Sequence, residues 1–129
     1  MKIYVQIKKG NDKTMSSPFS VSLAKIIKNF HLETVYLPQG ADGIYISSVE
    51  VNRPGLQLCG FYEYFDNARI QVIGKSEEGY LNEFGPAEYE KRVNEFFNKK
   101  PATVIISRDL PVTDVMKAAA EANEVPLLR

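Results

Sequence analysis

The second half of the chain alternates between two kinds of hydrophobic spacing, and this constrains the fold more than any other feature. Ile70, Gln71, Val72 and Ile73 form a short run rich in β-branched residues; Thr103, Val104, Ile105 and Ile106 form another. Runs of that length and composition suit buried strands. Between them, Pro86 suits the first turn of a helix. Tyr89, Val93, Phe96 and Phe97 then recur at i, i+4, i+7 and i+8, one apolar helical face. Residues 111–123 read as a further helix with Thr113 or Asp114 in its first turn. Val115, Ala118, Ala119 and Ala122 are its expected buried positions, and 125–128 reads as a last strand. Strand, helix, strand, helix, strand predicts an α/β fold: a small mixed, largely parallel sheet with flanking helices.

The first half is less regular. Ile3, Val5 and Ile7 alternate with polar neighbours, the pattern of a half-buried strand, before a turn at Gly10-Asn11-Asp12. Residues 1–20 are read as an N-terminal extension carrying that edge strand, and 21–129 as the domain proper. Ser20 or Ser22 can cap a helix whose apolar face is Leu23, Ile26, Ile27 and Phe30, ending by His31. Residues 32–37 and 44–51 read as strands separated by a turn at 38–43. Asn52-Arg53-Pro54-Gly55 interrupts the second, because proline removes a donor and glycine permits positive φ. Ser76, Glu77 and Glu78 open a short helix toward Leu81.

Among its 129 residues the chain has 16 basic and 16 acidic side chains and a formal charge of +0. That balance argues against a broad nucleic-acid or anionic-membrane surface. The single cysteine, Cys59, cannot pair within the chain, and no apolar run is long enough to span a bilayer. The expected location is the cytoplasm.

The motif that most resembles chemistry is Gly74-Lys75-Ser76, which follows a strand run. A phosphate-binding loop ends in Gly-Lys-Ser/Thr, but it needs a glycine five residues earlier so that backbone N–H groups can wrap the phosphates. Arg69 stands there, and residues 70–73 are strand-like, so no cradle is expected. One histidine, His31, and one cysteine show no metal-ligand spacing. His31 is expected to close a helix, and Cys59 to be a small buried residue. Glu77-Glu78 and Glu88-Glu90 are expected on solvated helix faces, since neighbours on a helix diverge. No catalytic, cofactor-binding or metal-binding residue is assigned.

The candidates for a ligand or interface role are Asn52, Arg53, Tyr62 and Tyr64. Arg53 sits on a constrained turn, where a guanidinium can take a carboxylate or phosphate bidentately. Equally, it can tie the turn to an acidic residue or a carbonyl. The group Phe61, Tyr62, Tyr64 and Phe65 reads either as a partner patch or as core and rim of the sheet.

Several stretches together resemble the N-terminal domain of the HPr kinase/phosphorylases. They are residues 48–61, beginning Ser48-Val49-Glu50 and containing Asn52-Arg53-Pro54-Gly55-Leu56-Gln57-Leu58; Tyr64-Phe65; 69–75; 103–110; and 125–129. Residues 21–35 fit the first helix and strand of that domain. The resemblance implies a fold similar to the N-terminal domain of MurF-type ligases. It also implies a parent enzyme with a separate P-loop domain, which uses ATP and Mg²⁺ to phosphorylate a serine on the phosphocarrier HPr, removes that phosphate, assembles as a hexamer and controls carbon-source use. No catalytic position of the family falls in this stretch. Cys59 departs from the alanine usual in the family, and residues 1–20 lie outside its pattern. The function so implied is a non-catalytic regulatory or assembly domain. Two alternatives are a small-anion sensor for a phosphorylated metabolite, built around Arg53, and a stand-alone interaction module.

Overall fold

The computed structural model describes residues 20–48 and 50–129, so the strand expected at 2–8 lies outside the described residues. The elements are β1 (Val21–Ser22), α1 (Leu23–Asn29), β2 (Thr34–Tyr36), β3 (Tyr45–Ile46), β4 (Val51–Asn52), α2 (Gly55–Leu58), β5 (Ile70–Ile73), α3 (Lys75–Leu81), α4 (Pro86–Asn98), β6 (Thr103–Ile106), α5 (Asp114–Asn123) and β7 (Leu127–Leu128). A five-stranded sheet runs in the order β2-β7-β6-β5-β4, and β1 pairs with β3 in a second, two-stranded sheet. β4, β5, β6 and β7 are parallel; β2 is antiparallel to β7. The fold is therefore the α/β class that the alternation predicts.

Consecutive parallel strands lie side by side in sequence order, so each crossover steps in the same direction. Right-handed crossovers then place their helices on one face. The core shows the result. Ile73, Val104 and Ile106 on the sheet pack with Leu58, Leu81, Val93, Phe96, Phe97, Met116 and Ala120 from α2 to α5. Residues one step out of phase turn to the other face. Ile70 packs there with Val21, Ile26, Ile46 and Val51, and Val72 and Ile105 adjoin them. The period-two pleat of a strand thus feeds two separate apolar clusters.

Local signals set the helix ends. Ser22 Oγ accepts from the Lys25 N–H at 3.2 Å and starts α1. The C-cap of α1 is Phe30, and His31 follows it at φ 52 with its backbone N–H donating to the Lys28 carbonyl at 3.3 Å. Thr113 Oγ1 accepts from the Met116 N–H at 3.2 Å, so α5 begins at Asp114 rather than at 111.

Four expectations need correction. The stretch 44–51 is not one strand. Tyr45–Ile46 pairs with β1, while Val51–Asn52 joins the large sheet beside β5. The buried face of α5 is Met116, Ala119 and Ala120; Ala118 and Ala122 are exposed. Three consecutive alanines leave the phase of a helical face undefined, and the methionine sets it. Cys59 is exposed. It caps the single turn of α2 on the outer side, where the chain reverses through Gly60 at φ 103. Glu77 and Glu78 are both buried. Glu77 turns back to the Gly74 N–H and Arg53, and Glu78 meets the Tyr89 hydroxyl, so the solvated side is left to Lys75, Ser76 and Gly79.

Candidate functional site

The parallel strands β4, β5 and β6 all end at one edge of the sheet, and their following loops carry Arg53, Gly74-Lys75 and Ser107-Asp109 there. In open α/β sheets this edge is where ligands usually bind. Beneath it lies a buried amide network. The Asn52 Nδ2 group donates to Gln57 Oε1 at 3.1 Å and to Gln71 Oε1 at 2.6 Å. The Gln71 Nε2 group donates in turn to the Arg69 carbonyl at 3.2 Å. Gln71 is fully buried, so these bonds offset the cost of a polar side chain inside the sheet. Asn52 therefore links β4, α2 and β5 and is spent internally.

Arg53 follows directly. Its Nη2 lies 2.7 Å and its Nε 3.2 Å from Glu77 Oε1. The same oxygen accepts the backbone N–H of Gly74 at 2.7 Å. One buried carboxylate oxygen thus gathers the turn after β4, the turn after β5 and the first turn of α3. Gly74 has an ordinary negative φ, but a methyl group there would collide with the Arg53 guanidinium. Of the two roles expected for Arg53, the tie to an acidic residue is the one the geometry displays.

Beside this group, Lys75 Nζ lies 3.2 Å from Asp109 Oδ2, and the Ser107 hydroxyl donates to Asp109 Oδ1 at 2.5 Å. The Ser107 bond first, and Lys75 second, hold the Asp109 carboxyl below its ordinary range. A carboxylate so stabilised is a poor base, so Ser107 gains no nucleophilic activation from it. The Lys75 ammonium, which would face the phosphates in a P-loop, is turned to Asp109.

This turn differs from a P-loop in two respects. Residues Ile70–Ile73 are strand β5, hydrogen-bonded along β6, and supply no wrapping loop. The Gly74 amide at the strand-to-helix turn already donates to Glu77. Among the described residues no group of three histidine, cysteine, aspartate or glutamate side chains is placed to hold a metal ion.

The two tyrosine candidates separate. Tyr62 turns inward, edge-on to Phe65 at 5.8 Å, with the Lys99 ammonium 4.9 Å above its ring. Its hydroxyl is buried with no partner among the described residues, and burial pushes the phenol well above its ordinary range. Tyr64 turns outward, 82% exposed, with Phe61 at 6.0 Å and Leu56 also exposed. Neither tyrosine meets Asn52 or Arg53 in a hydrogen bond.

Sequence reasoning missed Gly74, Glu77, Gln57 and Gln71 as partners. Two signals were present. Gly74 and Glu77 have the three-residue spacing of a helix start whose glutamate reaches back to the first free N–H. Gln71 is a polar residue inside an apolar strand run, which demands a partner.

A family model described as "HPr Serine kinase N terminus" matches residues 21–129. The HPr kinase/phosphorylase of Clostridium perfringens is 41% identical over 109 residues, which cover 84% of this chain and 35% of the relative. That of Clostridium acetobutylicum is 41% identical over 104 residues, 80% of this chain and 34% of the relative. That of Caldicellulosiruptor bescii is 36% identical over 112 residues, 86% of this chain and 36% of the relative. The chain spans about a third of the length of these relatives. With a family match over residues 21–129 and relatives matched across most of its length, the chain belongs to the HPr serine kinase N-terminal domain family.

Proposed function

We propose that the chain is a non-catalytic regulatory or assembly domain of an HPr serine kinase/phosphorylase that governs carbon-source use. In this reading the ATP- and Mg²⁺-dependent chemistry on HPr belongs to a separate P-loop domain. One observation supports it above all. At the sheet edge a Glu77 carboxylate oxygen sits between the Arg53 guanidinium and the Gly74 amide and takes a hydrogen bond from each. A negative charge held there repels a phosphate and occupies the donors that would bind one. The exposed group Leu56, Phe61 and Tyr64 supports an assembly role, because Tyr62 and Phe65 pack against the core and leave these apolar side chains facing outward. That surface fits contact with the catalytic domain or with a further copy.

The test is phosphoryl transfer by the chain alone. Incubation with HPr, ATP and Mg²⁺, followed by intact mass measurement of HPr, is expected to show no added phosphate. Stoichiometric serine phosphorylation would overturn the reading.

A further inference from the structure

Away from the sheet edge, α3, α4 and the start of α5 meet at a small polar cluster that the proposed function does not use. Glu78 on α3 is 7% exposed. The Tyr89 hydroxyl, on α4, donates to Glu78 Oε1 at 3.2 Å and lies 3.1 Å from Thr113 Oγ1. Thr113 Oγ1 also accepts the Met116 N–H that begins α5. Three helices are therefore joined through two hydroxyl protons and one carboxyl group.

We propose that Glu78, Tyr89 and Thr113 form a proton-sensitive clamp that sets how firmly α3 is held against α4 and α5, and thereby the state of the Arg53–Glu77 pair at the sheet edge.

The donor arithmetic supplies the switch. A phenol and an alcohol each carry one proton. With Glu78 ionised, Tyr89 must give its proton to the carboxylate, and Thr113 gives its own to Tyr89. The relay then runs one way, and a buried charge rests on one strong donor. With Glu78 protonated, the carboxyl group is neutral and brings a further donor, so the cluster is satisfied without a buried charge. Tyr89 stays a donor throughout, because burial first and the neighbouring carboxylate after it push its phenol up to about 12.

The surroundings do not neutralise Glu78. Within α3, Lys75 is paired with Asp109 and Glu77 with Arg53. On α4, Glu88 and Arg92 pair with each other. On α5, Asp114 and Lys117 are exposed. Burial accordingly raises the Glu78 carboxyl above its ordinary 4.5, and only the Tyr89 bond opposes the shift. The folded state thus holds the Glu78 proton more tightly than the unfolded chain. Its stabilising contribution is complete below the ordinary value and is lost as pH rises through the raised one. Glu77 is the next residue on the same short helix, so loosening of α3 reaches the Gly74 amide directly.

Nuclear magnetic resonance of the 129-residue chain tests this. The Gly74 amide is followed from pH 4 to 8 in the wild type, Glu78→Gln and Tyr89→Phe. The clamp predicts a titration step at Gly74 that coincides with the Glu78 carboxyl, is lost in Glu78→Gln, and moves to higher pH in Tyr89→Phe. A Gly74 step that persists in Glu78→Gln belongs to another group, and overturns the proposal. So does a Tyr89→Phe profile that overlays the wild type, which also serves if Glu78→Gln does not fold.

Discussion

A methyl group at position 74 would strike the Arg53 guanidinium, the far end of a flexible and half-exposed side chain. The collision itself is therefore cheap, because Arg53 can swing away. What is lost is its bond to Glu77, a buried carboxylate left with the Gly74 amide alone. Gly74→Ala should cost about 1–2 kcal/mol by that route, and Arg53→Ala a similar amount. The two should not add. In an Arg53→Ala background, Gly74→Ala should be neutral to within about 0.5 kcal/mol in urea unfolding, and an undiminished penalty would show that the glycine serves some other purpose. Tyr62 makes the opposite case. Its buried hydroxyl has no partner among the described residues, so Tyr62→Phe should leave the melting temperature unchanged or raise it. A loss of several degrees would mean that the hydroxyl is bonded after all. The importance of Arg53 was legible in the sequence because Pro54 and Gly55 constrain its turn. Its partner was not. Glu77 lies 24 residues away, and nothing local says which carboxylate a folded sheet edge will bring near.

At the scale of elements, strong periodic signals carried through and weak ones did not. The helix opened by Pro86 buries Val93, Phe96 and Phe97 as its spacing requires. Phe97 is fully buried in the cluster under the sheet, and Phe96 meets it edge-on at 5.6 Å. Phe97→Ala should therefore cost about 3–5 kcal/mol, read as a fall in the denaturation midpoint at constant slope. A change below about 1 kcal/mol would mean that the face has been misplaced. The helix α5 shows why composition alone fails. Its alanines are equally apolar all round, so only Met116 fixes the face that docks on α4. In 44–51, β-branched residues were consistent with a continuous strand. Two short pairings, each with a different sheet, were decided by tertiary contacts that no local window contains.

For the whole molecule, the alternation of β-runs and helical faces was enough to specify the class and its parallel core. It could not reveal that β2 joins antiparallel beside β7, or that α1 with the β1–β3 pair covers the second face. The same layering explains the chemistry. A doubly covered sheet with consecutive crossovers brings three loop ends to one edge, and the side chains there satisfy one another. The network of Asn52, Gln57 and Gln71 below and the Arg53–Glu77–Gly74 group above tie that edge together, and in the proposed reading close it to phosphate. Its likeness to a phosphate loop is confined to three letters of sequence. Isothermal titration of the chain with Mg²⁺-ATP tests this most directly. A closed edge predicts no binding heat up to millimolar nucleotide. Saturable binding at millimolar or tighter affinity, abolished by substitution of Lys75, would contradict it.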